Sequence, residues 1–226
     1  MDKFDLGEKR TVTRDWLDYF PAMVSYKPMW LLKRNGPLLL GICLDGNRDN
    51  TSYRVIPHVH NLSRESNFIS LTLWNPLPDE RNYYHQSITV KSHKRVFVDA
   101  CLRLQKLSLF PLTNDLSLSR ILLAYETYLG LDMPTTKYPI LLYDDIIRLL
   151  VYCDRIAEAK TRLASYLRIM SRWPDTAFKN PQELTQFSDG MKEIIEAPSR
   201  LESICEAAII QLKVERIPDY GLVCEK

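Results

Sequence analysis

Two of the four histidines stand one residue apart in YRVIPHVHNL, Tyr53 to Leu62. In a strand, residues two apart share a face, so His58 and His60 present two imidazoles to one side. That is half of a metal-coordination shell, and His85 or His93 could supply a third ligand. No carboxylate, cysteine or further histidine stands nearby at a ligand spacing. Pro57 marks the strand as an edge or a bulge. With Val55 and Val59 turned to a core, Ile56, His58 and His60 face outward. The expectation is therefore a polar outer face that rests on another segment or on a partner, with no metal and no other cofactor.

A second cluster lies in TVKSHKRVF, Thr89 to Phe97. Lys91, His93, Lys94 and Arg95 gather where a strand gives way to a helix. Three cations beside free backbone N–H groups could hold a phosphate or an acidic partner. A solvated basic turn is the plainer reading, at a dipole cost of only about 0.5 kcal/mol. Asp144 and Asp145 are adjacent carboxylates. On a helix they point about 100° apart, so they form no acid/base pair, and helix-start electrostatics accounts for them. LDGNRDN, with Asp45, Asn47 and Asp49, departs from the spacing of an acidic calcium loop. Nucleotide-binding glycine loops, the G-x-S-x-G elbow, H-E-x-x-H and paired C-x-x-C are all missing. Aromatic and basic residues do not interleave as they do on a nucleic-acid platform.

The elements that must position these residues change character along the chain. TVTRDWLDYF reads as a short helix capped by Thr13 and stopped by Pro21. MWLLKRNGPLLLGICLDG reads as two strands around Asn35-Gly36, with Pro37 suggesting a turn longer than two residues. LLLGICL is continuously apolar, as a strand covered on both faces would be. FISLTLW alternates with a period of two, and QSITVKS is a further short strand. From Ser92 onward the apolar period becomes helical. Stripes run through Phe97 to Leu107, Leu118 to Leu129, Tyr143 to Leu150, Ile156 to Met170, Leu184 to Ile194 and Leu201 to Leu212. Asn180 and Ser199 read as the caps of the last two helices.

Strands first and helices after predict an α+β fold. An antiparallel or mixed sheet occupies residues 1–91, after a short N-terminal helix. A bundle of five to six helices occupies 92–226 and packs on that sheet. The chain has 226 residues and 46% hydrophobic content, enough for a sizeable core. Its net charge of +2 argues for no nucleic-acid partner. The first half is mildly basic and the second mildly acidic. The first residues lack a signal-peptide pattern, and the apolar runs are too short or too charged to span a bilayer. These features predict a cytoplasmic protein without a membrane partner. The five cysteines (Cys43, Cys101, Cys153, Cys205 and Cys224) are odd in number and widely spaced, and read as free thiols with no disulfides. Together these readings predict a non-catalytic protein that binds another protein. One concrete version is a bacterial immunity-type protein that neutralises a toxin or effector domain, with His58, His60, Lys91, His93, Lys94 and Arg95 as its interaction residues. The alternatives are an enzyme that uses the His58/His60 face and a helical-repeat-like regulatory scaffold.

Overall fold

The structure, a computed structural model, describes residues 3–79, 85–113 and 115–225. Helix α1, Leu6–Tyr19, opens on a reciprocal cap between Asp5 and Glu8. It starts about two turns before Thr13, whose hydroxyl instead bonds the Lys9 carbonyl and the Met29 N–H. Five strands follow: β1 Val24–Lys27, β2 Trp30–Asn35, β3 Leu38–Gly46, β4 Ser52–Asn61 and β5 Ile88–Thr89. They pair in sequence order, and every pair is antiparallel. Six helices come next: α2 Val90–Leu107, α3 Leu118–Leu129, α4 Ile140–Tyr152, α5 Ile156–Met170, α6 Glu183–Glu196 and α7 Ser199–Gln211. This is an α+β fold with an N-terminal antiparallel sheet and a C-terminal helical part.

The β2–β3 turn is shorter than expected. Asn35 pairs with Leu38, which leaves only Gly36 and Pro37 in the loop. Gly36 adopts φ +57°, and proline supplies a fixed negative φ at the second position. That order of signs suits a tight hairpin whose first turn residue is glycine. The turn pair is thus Gly-Pro and not Asn-Gly.

Both faces of the sheet are covered. Leu31, Leu38, Leu40, Ile42, Leu44, Tyr53, Val55 and Val59 pack with α1 to α6 in one continuous core that runs from Phe4 to Leu201. On the opposite face Leu32 and Leu39 meet Cys205, Ala208 and Leu212 from the α7 segment, then Val214 and Ile217 beyond it. Each fully buried leucine or isoleucine here is worth about 1.5–3 kcal/mol of transfer energy. FISLTLW does not form a strand. Thr72 alone bridges to Val59, and Leu73 turns away at φ +52°. Alternation along β4 explains this, since Val55 and Val59 direct their backbone groups away from β3 and Pro57 lies between them. A residue without an N–H cannot extend a ladder on that side.

The tail is tied down after α7. Asp219 accepts from the Gly36 N–H and pairs with Arg34 at 2.9 Å, and the Asn35 amide donates to the Gly221 carbonyl. Strand β7, Leu222–Val223, then lies parallel to β6, Leu116–Ser117. Next to it Cys224 is bonded to Cys153 at the end of α4. The expectation of no disulfides is overturned by this pair. The two cysteines stand 71 residues apart, and the fold brings their Cα atoms to 5.2 Å. Cys43, Cys101 and Cys205 are free thiols. No helix among the described residues is long and apolar enough to cross a membrane.

Candidate functional site

The histidine pair of β4 is not an exposed face. His58 and His60 do share the side opposite Val55 and Val59, but both are fully buried, on the sheet face whose Leu32 and Leu39 pack against the α7 segment. Gly41 lies across from His58, and a Cβ built there would stand 2.2 Å from His58 Nε2, so the imidazole occupies the space a side chain would take. The Trp30 indole donates to that same Nε2 at 2.8 Å. An indole N–H can only donate, so Nε2 is the acceptor and His58 is neutral, with its proton on Nδ1. His60 Nδ1 accepts from the Ser70 backbone N–H at 3.0 Å and lies 2.9 Å from the Ser70 hydroxyl. Burial holds both rings down to about 3, far below the ordinary histidine value. The lone pairs a metal would need are already engaged.

The four histidines are also dispersed. His85 is exposed and bridges to Pro78. His93 lies on the other side of the sheet, against Tyr53. Among the described residues no three His, Cys, Asp or Glu side chains group to hold a metal ion.

His93 belongs to a constellation that spacing did not announce. Trp16 Nε1 donates to the Tyr53 hydroxyl at 3.1 Å, and that hydroxyl lies 2.8 Å from His93 Nδ1. His93 Nε2 in turn meets Asp15 Oδ2 at 2.9 Å. An acid, an imidazole and a hydroxyl in line have the form of a nucleophile-activating relay. Here Tyr53 is fully buried and its hydroxyl is pushed well above its usual range by that burial. With no access for a substrate, the chain of bonds serves as a polar tie between α1, β4 and α2. Burial also lowers His93, against the opposing pull of Asp15. At Asp15 burial pushes upward, but hydrogen bonds from Lys94 and His93 outweigh it and hold the carboxyl low.

The basic cluster is thereby partly consumed. Lys94 pairs with Asp15 at 2.6 Å. Thr89 caps α2 and accepts from the Ser92 N–H, which removes one of the donors an anion would need. Lys91, Lys94 and Arg95 remain exposed on the first turns of α2, while His93 is turned inward.

A concave surface lies elsewhere, in a groove of about 1260 Å³ between the 63–70 segment, α4, α6 and α7. Its wall carries a buried polar network. Arg64 meets Asp145 at 2.9 Å as an ion pair without hydrogen-bond alignment, and the Tyr125 hydroxyl donates to the other Asp145 oxygen at 2.9 Å. Arg148 grips Asp144 through Nε at 3.0 Å and donates to the Ser63 carbonyl. Arg64 also donates to the Ser70 hydroxyl at 2.9 Å, which links this network to His60. Burial raises Asp145 to about 6 although Arg64 pulls it down. Asp144 and Asp145 are therefore not helix-start charges. Helix α4 begins at Ile140, and Asp145 sits in its buried face between Leu142 and Leu149. Ser70 beside His60 has the contacts of a nucleophile and base. A base near 3 with its lone pair shared by two donors takes up a proton too weakly to activate a hydroxyl at neutral pH.

A smaller cavity of about 330 Å³ adjoins the groove, sharing Ser70, Ile140, Leu141, Lys179 and Glu183 with it. Leu73 lines it in a left-handed conformation that costs a bulky residue about 1–2 kcal/mol. No protein-family model, curated protein or solved structure matches the chain.

Proposed function

We propose that the protein works by binding another protein, through the groove between the 63–70 segment, α4, α6 and α7. The observation that carries this reading is a wide cleft with two large apolar side chains exposed on it, Phe68 at 66% and Leu141 at 56%. Concave apolar surface framed by charge suits a protein partner better than it suits water. Arg148, Arg200, Glu183 and Glu193 supply the polar frame. Catalysis has less support, because the Asp15–His93–Tyr53 relay is sealed and the His58 and His60 lone pairs are engaged.

The finer version is an immunity-type protein that neutralises a toxin or effector domain by covering it. It rests on the type of chain, which is mid-sized and free of catalytic motifs. An acidic patch on the partner would also find Lys91, Lys94 and Arg95 exposed on α2. The compartment in this reading is the cytoplasm. Cys153–Cys224 weighs against it, since disulfides persist mainly in oxidising compartments. The thiol state of that pair in freshly quenched cells decides the point.

The test is capture from the native host with the wild-type chain and with Phe68→Asp/Leu141→Asp, followed by direct binding to the product of the adjacent gene. Both substituted side chains are exposed, so the variant keeps its melting temperature and loses the partner. Equal capture by both chains, or no partner binding tighter than about 10 μM, sinks the reading.

A further inference from the structure

The geometry points to a small-molecule site in the cavity beside the groove, built for a mostly apolar ligand with one acidic end, such as a medium-chain or aromatic carboxylic acid. This cavity adjoins the groove and shares its mouth residues with it, but its test needs no protein partner.

The interior of this cavity is set by Leu73, Trp74, Tyr128, Tyr138, Pro139 and Leu142. A volume of about 330 Å³ lies at the lower end of what small-ligand pockets occupy. The deeper polar atoms are already satisfied within the chain. The Tyr128 and Thr135 hydroxyls bond each other at 2.9 Å, and the Thr72 hydroxyl donates to the Val59 carbonyl at 2.7 Å. A ligand body therefore meets carbon and aromatic faces and has no strong polar partner inside. Protein interiors pack densely, so an apolar void of this size forgoes contacts that a ligand restores. Leu73 helps keep the wall in place, because its left-handed backbone turns the 70–74 segment away from β4 instead of continuing a ladder across the opening.

The mouth sets the head group. Lys179 lies where the two cavities meet, and its ammonium makes no ion pair among the described residues. Glu183 shares that mouth, but one of its oxygens accepts the Lys179 backbone N–H at 2.5 Å. Its charge offsets part of the lysine field and limits the head-group preference to a few-fold. An ammonium that forms no ion pair of its own favours a carboxylate over an amine or an alcohol, even with Glu183 nearby.

The test is titration of the full chain with decanoate and with decanol below their aggregation limits, read by calorimetry and by tryptophan fluorescence, since Trp74 lines the cavity. Decanoate should bind one to one. Lys179→Ala, on the surface, should weaken decanoate by about threefold to tenfold and leave decanol unchanged. Ala177→Phe, which places a ring into the cavity from a half-buried position, should remove both ligands at an unchanged melting temperature. No binding of either ligand to the folded wild type overturns the site. So does binding that Ala177→Phe leaves intact while folded. Decanoate affinity that ignores Lys179→Ala overturns the acidic head group.

Discussion

The His58 imidazole lies directly over Gly41, on the neighbouring strand, with its Nε2 held by Trp30. The glycine is therefore a space left for a side chain on the facing strand. Gly41→Ala should cost about 1–3 kcal/mol by overpacking, read by urea unfolding. Gly41→Ala/His58→Ala should be less destabilised than the sum of its two single changes. Strict additivity would mean that the ring does not fill that space.

Acid should destabilise the fold through the same face. The folded values of His58 and His60, near 3, lie below the ordinary 6.5. Their contribution is full above pH 6.5 and is lost as pH falls toward 3, at up to about 1.4 kcal/mol per pH unit for each ring. Asp145 has the opposite sign. Its folded value near 6 exceeds 3.8, so its contribution is present below 3.8 and lost as pH rises through 6. Between pH 6 and 4 it offsets about one histidine, leaving a net loss of about 3 kcal/mol. Urea unfolding at pH 7, 5.5 and 4.5 measures this. His58→Gln should flatten the slope by one proton, and an unchanged slope would reassign the effect.

Breaking the Arg64–Asp145 pair should cost more than deleting it. Arg64→Met leaves Asp145 buried without its cation, at about 3–5 kcal/mol. Arg64→Met/Asp145→Leu should recover most of that loss, giving a coupling above about 1 kcal/mol. A coupling near zero would mean that the two charges are separately solvated.

The disulfide should carry a measurable share of stability. Closing a loop of 71 residues is worth about 4 kcal/mol in the chain-entropy account. Cys153→Ser/Cys224→Ser should unfold at correspondingly lower urea. Burial also lifts the remaining thiols, Cys43 to about 11, Cys101 to about 12 and Cys205 to about 11. In the folded, unreduced protein iodoacetamide should leave all three unmodified, and in urea it should add three groups. Rapid labelling of Cys101 or Cys205 in the folded chain would contradict their burial.

The order of strands and helices was legible because period two and period three-to-four differ over a few residues. The inside and outside of β4 were not. Alternation separates His58 and His60 from Val55 and Val59, but it cannot say that residues 205–217 will cover the second face. The one available clue was LLLGICL, read as covered on both sides, since a strand paired to it shares that environment. Asp145 was misread as a helix-start charge, although it falls three residues after Leu142 and four before Leu149. A carboxylate inside an apolar stripe signals a buried partner more than a helix start. The disulfide and the Asp15–His93–Tyr53 relay join residues tens of positions apart, and no local spacing encodes such meetings.

The second face of the sheet also imposes an order on biogenesis. Strands β2 to β4 are complete once residue 61 has been made, yet their cover of Cys205, Ala208, Leu212, Val214 and Ile217 arrives some 140 residues later. Until then the nascent chain displays Leu32, Leu39, Trp30 and the two imidazoles to the ribosome exit and to whatever chaperone waits there.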